Sequence, residues 1–389
     1  MNKLADQNFL DVGRRDLEPA IAALLDRKAL KPGTPAYRPK SDAEMIAVLT
    51  RFLADRAPGS IIKGLRRLGG GASKEQFVFD LYGHGHRRRC VLRMDPLGSA
   101  VETDRLREFE VLEAMQGIVP APRPLWVETD GEQLGAPALI MEFANGVTKP
   151  CDLGSGGNVS GLGILLGPEW RAALGPQFLE QIVAIHGFDW RSSNLSSFQV
   201  PDAEPSQAAR WQANWWARVW RDGMVEPMPM ASLVENWLLD NLPAATELVL
   251  VHADYRTGNY LFDEEEKRIT AVLDWELAHI GDYHEDLGWT VQRVFGVAAD
   301  GSFYVTGLFE REEFLDRYEQ MSGRKVNRKT LHFYEVVAAY KCLAIILARG
   351  MQVSVEALNH QDILMTWLAA AGHIFHSELC RLLEAGSPA

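Results

Sequence analysis

HADYRTGNYLFDEEEKRITAVLDWE, residues 252–276, is the stretch that fixes the reading of this chain. His252, Asp254 and Asn259 stand in the order His-x-Asp-x4-Asn, and Asp274 follows Asn259 by fifteen residues. Between them, YLF and ITAVL are apolar runs split by the charged turn DEEEKR, the pattern of a β-hairpin. We expect the preceding LVLV (248–251) to belong to the same hairpin. Such a hairpin brings Asn259 at its entry beside Asp274 at its exit. One amide oxygen and one carboxylate then converge, a hard-oxygen pair suited to Mg²⁺, which keeps few protein ligands and takes the rest from phosphate and water. Asp254 lies on the loop just upstream and faces the same cleft. A carboxylate there can accept the proton of an attacking hydroxyl.

Working outward, the segment from residue 61 reads as strands: IIKGLRRL, a turn Gly69-Gly70-Gly71-Ala72-Ser73, EQFVFDLY, a second glycine turn, and RRCVLRM. A helix is predicted over 99–115, then two short strands around 125–128 and 138–142. The chain beyond Glu142 is mainly helical, with segments near 168–187, 205–221, 230–241, 309–320, 329–349 and 359–386. CDLGSGGNVSGLGILLG (151–167) reads as a flexible insert or lid. Ahead of the strands, Leu17, Ile21, Leu24 and Leu25 recur at helical spacing after Asp16, which reads as the helix N-cap. Ser41 and Glu44 form a capping box for a second helix. The division is therefore a helical N-terminal extension (1–59), a sheet lobe with one helix (60–142) and a helical lobe (143–389).

Composition narrows the function. Hydrophobic residues make up 47% and charged residues 24%, an ordinary globular balance. With 52 acidic against 40 basic residues the net charge is −12, which argues against nucleic acid as a partner. Four scattered cysteines without a CxxC pair suit a reducing, cytoplasmic setting. The late apolar run VVAAYKCLAIILA is interrupted by Lys341 and reads as too short to span a bilayer, so no membrane partner is expected.

The order His-x-Asp-x4-Asn then Asp-Trp-Glu resembles the protein-kinase pair His-Arg-Asp-x4-Asn and Asp-Phe-Gly. Ala253 in place of the arginine, and Glu276 after the aromatic, make it more similar to the aminoglycoside phosphotransferase and choline kinase family. Within that family, HADYRTGNYLF, AVLDWE and GDYHEDLGW resemble the phosphotransferase domains that precede certain mammalian acyl-CoA dehydrogenases in fusion proteins, and their free-standing bacterial relatives. The resemblance covers roughly 60–350. It implies an α+β, two-lobed protein-kinase-like fold, with an antiparallel sheet N-lobe and a mainly helical C-lobe. It also implies ATP with Mg²⁺ as cofactors, and a small-molecule hydroxyl as phosphoryl acceptor.

On that resemblance, Asp254 is the catalytic base, and Asn259 and Asp274 hold the metal, with Glu276 assisting. Gly70, Gly71 and Ser73 cover the nucleotide phosphates, a role in which glycine lets the backbone approach closely. Arg93 on the third strand takes the place of the phosphate-binding lysine, with Glu108 on the following helix as a two-pronged partner. Glu142 and Phe143 mark the hinge where adenine meets the backbone. Asp286 braces the catalytic loop, His252 orients it, and His186 is a core histidine with a backbone partner. Trp211, Trp215, Trp216 and Trp220 on one helix are either core or the wall of a substrate pocket. A nucleotide-binding chain without turnover is the alternative, kept open by the arginine at 93. The acceptor, the nucleotide preference and the oligomeric state have no readable code.

Overall fold

The computed structural model describes residues 16–29, 34–69, 73–83, 85–151 and 163–386. Gly70, Gly71 and most of the glycine-rich insert fall outside them.

Two helices precede the sheet, α1 (Pro19–Arg27) and α2 (Asp42–Leu53). α2 starts at the expected capping box, with the Glu44 N–H donating to Ser41 Oγ and the Ser41 N–H to the Glu44 carboxylate. The pair packs on different lobes. Met45, Leu49, Phe52 and Leu53 of α2 join the sheet's core, whereas Ile21, Leu24 and Leu25 of α1 join the core of the helical lobe. Asp16 is not the cap of α1. It accepts from Trp211 Nε1 (3.0 Å), and its carbonyl accepts from Asn214 Nδ2 (2.6 Å), which staples the extension to the helical lobe.

The sheet is formed by β1 (Ile61–Arg67), β2 (Glu75–Gly83), β3 (His86–Met94), β4 (Pro124–Glu128) and β5 (Ala138–Glu142) in the order β1-β2-β3-β5-β4, antiparallel throughout. One helix, α3 (Arg105–Ala114), crosses it. α3 begins six residues later than the pattern suggests, because Asp104 caps it by accepting from the Leu106 N–H (2.8 Å).

The helical lobe opens with α4 (Pro168–His186), α5 (Gln207–Gly223) and α6 (Pro229–Asp240). All four tryptophans of α5 are buried, so the core reading holds for them. The expected single hairpin is instead two small sheets. β7 (Tyr260–Asp263) and β8 (Arg268–Val272) form the hairpin, whereas β6 (Leu248–Val251) pairs with β9 (His279–Asp282). The pairing of β6 with β9 depends on where residues 277–282 return, which no local pattern encodes. It leaves residues 252–259 and 273–278 as two loops pinned between the sheets.

After β9 come α7 (His284–Thr290), a small sheet of β10 (Val297–Ala299), β11 (Ser302–Val305) and β12 (Phe309–Glu310), then α8 (Arg311–Ser322) and α9 (Arg328–Leu343). α9 passes through a π-helical segment, Ala344–Gly350, into α10 (Met351–Val355). Here α5 crosses so closely that a Cβ on Gly223 would lie 2.9 Å from the Arg349 backbone. The continuous run Arg328–Val355, whose most apolar window has mean hydropathy 1.6, is long and apolar enough to cross a membrane, contrary to the short-run reading, but 83% of that window is buried inside this fold. The expected last helix is two, α11 (Asp362–Ala370) and α12 (Gly372–Ala385).

Candidate active site

The loop 252–259 takes its shape from Asp286 on α7. This buried carboxylate accepts from the His252 N–H (2.8 Å) and the Ala253 N–H (2.7 Å), and also contacts His186 Nε2 (3.1 Å). His186 is therefore held by side chains, Asp286 and the Tyr318 hydroxyl (2.8 Å), and not by the expected backbone partner. Burial would raise the Asp286 pKa, but its bonds to His186 and the His252 N–H keep it low. Ala253 sits in the left-handed region at φ 65°. A small side chain limits the cost of that geometry.

His252 bridges the two loops. Its Nδ1 accepts from the Asp254 N–H (3.2 Å) and its Nε2 donates to the Leu273 carbonyl (2.9 Å). This pattern needs the neutral ring, and burial, the dominant cause, lowers the His252 pKa accordingly. The loops are further tied by the Leu273 N–H donating to the Asn259 carbonyl (2.8 Å). These ties bring the backbone segments that carry Asp254, Asn259 and Asp274 side by side. Asn259 Nδ2 donates to the Asp254 carbonyl (2.9 Å), which leaves its amide oxygen for a cation. Asp274 adopts φ 60°, ψ 52°.

Asp254 and Asp274 keep 20% and 39% of their side chains accessible, against 2% for Glu108 and 10% for Glu276. Accessible carboxylates can meet substrate or metal; buried ones serve the scaffold. Asp254 Oδ1 accepts from Trp289 Nε1 (2.8 Å) and Arg256 Nε (3.1 Å), and neither of these donors engages the second oxygen. Neither Trp289 nor Arg256 is flagged by motif spacing. Among the described residues no cluster of three or more His, Cys, Asp or Glu could hold a metal by itself. The donor set of Asn259 and Asp274 fits Mg²⁺ only with phosphate completing the shell.

Arg93 is buried, and its guanidinium meets three carboxylates: Glu108 from Nε (3.2 Å), Asp274 from Nη1 (2.7 Å) and Glu276 from Nη2 (3.3 Å). The expected two-pronged pair with Glu108 is not formed, because Arg105, one helical turn away, takes the other Glu108 oxygen. Glu276 faces three cations, Lys74, Arg93 and Arg105. Burial would raise its pKa, but Lys74 (3.7 Å), Arg93 and Arg105 (3.3 Å) hold it down at about 2. Lys74 also contacts Asp95 (3.6 Å), which is paired with Lys28 and Arg105, while Arg349 reaches Glu102 (2.6 Å). Five cations (Lys28, Lys74, Arg93, Arg105, Arg349) and five anions (Asp95, Glu102, Glu108, Asp274, Glu276) form one balanced network across the lobes. Charges this buried are tolerable only when paired.

Ser73 lies at the edge of this network, its carbonyl accepting from Ser99 Oγ (2.9 Å). At the hinge, the Glu142 N–H donates to the Arg123 carbonyl (2.8 Å) and the Phe143 N–H to Arg89 (2.9 Å). Both of those donors are committed to the sheet, so an adenine at this hinge would use other backbone groups.

Residues 64–324 match the model of the phosphotransferase enzyme family. Acyl-CoA dehydrogenase family member 11 of Gallus gallus is 28% identical over 338 residues, 82% of this chain and 41% of that protein. The probable acyl-CoA dehydrogenase IBR3 of Arabidopsis thaliana is 27% identical over 322 residues, 76% of this chain and 38% of that one. The chain thus spans about two fifths of these curated relatives. Among solved structures, a putative aminoglycoside phosphotransferase from Ralstonia eutropha superimposes with a TM-score of 0.61 at 22% identity, covering 88% of this chain and 99% of its own. The aminoglycoside phosphotransferase APH(4)-Ia, in a ternary complex with ADP and hygromycin B, gives 0.55 at 18%, covering the same shares. At these identities the likeness is one of fold, a kinase-like α+β architecture. Two thirds of the chain lies within the matched family model, and the chain belongs to the phosphotransferase enzyme family.

Proposed function

We propose that this chain transfers the terminal phosphoryl group of ATP, with Mg²⁺, to a hydroxyl of a small molecule. The observations that support the reading are the tie of Asn259 to the Asp254 carbonyl, the tie of Leu273, the neighbour of Asp274, to the Asn259 carbonyl, and the ion pair of Arg93 with Asp274. Family membership and an ADP complex of a protein with the same fold support nucleotide use. In this reading the second Asp254 oxygen takes the proton of the acceptor hydroxyl as the hydroxyl oxygen attacks the terminal phosphorus and ADP leaves. Asn259 and Asp274 hold the metal, which when bound neutralises charge on the phosphates. Arg93 serves the phosphates only after yielding its contact with Asp274, and Glu108 and Glu276 keep its guanidinium in place meanwhile.

The acyl-CoA dehydrogenase names of the relatives describe proteins of which this chain spans about two fifths, and they lend nothing to the choice of acceptor. One observation favours a second reading, nucleotide binding without turnover: the guanidinium of Arg93 is shared among three carboxylates. The test is ADP production from ATP and Mg²⁺ over a panel of hydroxylated metabolites. Acceptor-stimulated ADP supports the kinase. Nucleotide binding with no stimulation by any acceptor supports the second reading, and phosphate release without acceptor indicates a hydrolase.

A further inference from the structure

Lys341 interrupts the apolar run VVAAYKCLAIILA that begins in α9. Its side chain is buried within α9, and among the described residues no carboxylate lies in ion-pair contact with it. Its Nζ instead donates to the Ala253 carbonyl (2.5 Å) and lies 4.2 Å from the ring centre of Trp289 and 5.1 Å from that of Trp216. Burial pushes the Lys341 pKa down, while the carboxylates of Asp254 and Glu285, both beyond ion-pair distance, favour the charged form. A neutral donor would satisfy the Ala253 carbonyl equally well, so the hydrogen bond alone does not account for a charge here. The two indole faces add to the support from those carboxylates, because an aromatic face attracts a cation most strongly where water is excluded.

The ring of Trp289 meets this cation on its face, and its Nε1–H donates to Asp254 Oδ1 (2.8 Å). Its outer side packs on Phe295, with ring centres 4.9 Å apart. Arg256 supplies the second donor to the same oxygen, its guanidinium lying 4.9 Å from the ring centre of Phe295. The Asp254 carboxylate is thereby held by one oxygen, and neither donor engages the other. A cation against the indole face also draws density from the ring and strengthens the N–H as a donor.

We infer that Trp289 is a positioning residue for the Asp254 carboxylate, and that Lys341, held between the Trp216 and Trp289 rings, is the buried cation that fixes Trp289 in that role. The inference rests on the reading of Asp254 as the base. It adds two residues that act through Asp254 and touch no substrate. It also gives the tryptophans of α5 a use besides core packing, since Trp216 forms the back wall of the Lys341 site.

The experiment combines kinetics with the ¹⁵N–¹H indole spectrum, in which the resonance lost in Trp289→Phe identifies Trp289. Lys341→Gln keeps a donor for Ala253 and removes the charge; Lys341→Arg keeps both. We expect Lys341→Gln to move the Trp289 indole resonance and speed its exchange with solvent. It should lower kcat on the order of tenfold, a fraction of what a positioned base contributes, with KM for ATP within about twofold. Lys341→Arg restores most of the loss. Trp289→Phe lowers kcat similarly, and the double variant Lys341→Gln/Trp289→Phe is no worse than the poorer single one, because both act on one contact. The proposal is overturned if Lys341→Gln leaves the resonance and kcat unchanged, or if the two losses multiply. Should Lys341→Gln fail to fold, Trp289→Phe tests the aiming of Asp254 through kcat, and Lys341→Arg tests the cation through a wild-type indole resonance. If the wild-type chain turns over no acceptor, the kinase reading falls by itself, while the indole resonance still reports whether Lys341 governs the Trp289–Asp254 bond.

Discussion

Glu276→Gln removes one charge from the centre of the interlobe network and leaves Lys74, Arg93 and Arg105 facing a neutral amide. Those cations stand 3.7, 3.3 and 3.3 Å from the carboxylate. They hold its pKa at about 2 against an ordinary 4.5, although burial acts in the opposite direction. At about 1.4 kcal/mol per unit, that difference corresponds to about 3 kcal/mol of folding stability at neutral pH. Breaking a buried pair by removing one partner costs about 3–5 kcal/mol, a matching figure. The folded-state pKa is depressed, so the contribution is complete above about pH 4.5 and is lost as pH falls through about 2. Near pH 3 about 1 kcal/mol of it remains. Urea unfolding of wild type and Glu276→Gln at pH 7, 5, 4 and 3 measures the gap. We expect about 3 kcal/mol at pH 7 and 5, narrowing at pH 4 and narrowing further at pH 3. A gap under about 0.5 kcal/mol at pH 7, or one that stays constant down to pH 3, would refute the assignment of Glu276 as the ionised hub.

Three further outcomes follow from the same geometry. Asp254→Asn should cut kcat by about 10²–10⁴-fold, while ATP affinity by calorimetry changes less than about twofold; parallel loss of both would make Asp254 structural. Asp274→Ala should abolish the strengthening of ATP binding by Mg²⁺ and with it acceptor phosphorylation, so a variant still showing Mg²⁺-dependent affinity would remove Asp274 from the metal site. Asp286→Ala strands the buried N–H groups of His252 and Ala253. It should destabilise the fold by about 3 kcal/mol, and a loss under about 1 kcal/mol in urea unfolding would show that the loop does not depend on this brace.

Arg93 shows how tertiary structure redistributes a pairing that spacing suggests. Its place on β3 and the nearness of Glu108 are visible from the order strand then helix. Its contacts with Asp274 and Glu276 are not, because those residues arrive from 181 and 183 positions away. Arg105 carries no sequence pattern of its own, and the fold buries it against Asp95, Glu108 and Glu276.

What the amino-acid order determined by itself is what local physics controls. The Ser41–Glu44 capping box, the β7–β8 hairpin with Asn259 and Asp274 at its two ends, and the glycine turn between the apolar runs of β2 and β3 all depend on neighbours within a few residues. The spacing of His252, Asp254, Asn259 and Asp274 was enough to name the two loops that the structure ties together. Only the tertiary structure decided the pairing of β6 with β9 and the docking of α1 and α2 on different lobes. It alone decided that Trp289 and Lys341 stand behind Asp254, 35 and 88 positions along the chain from the residues they contact. Such contacts form only when the lobe closes, and their energy comes from excluding water around a buried charge, which no pattern of spacing records.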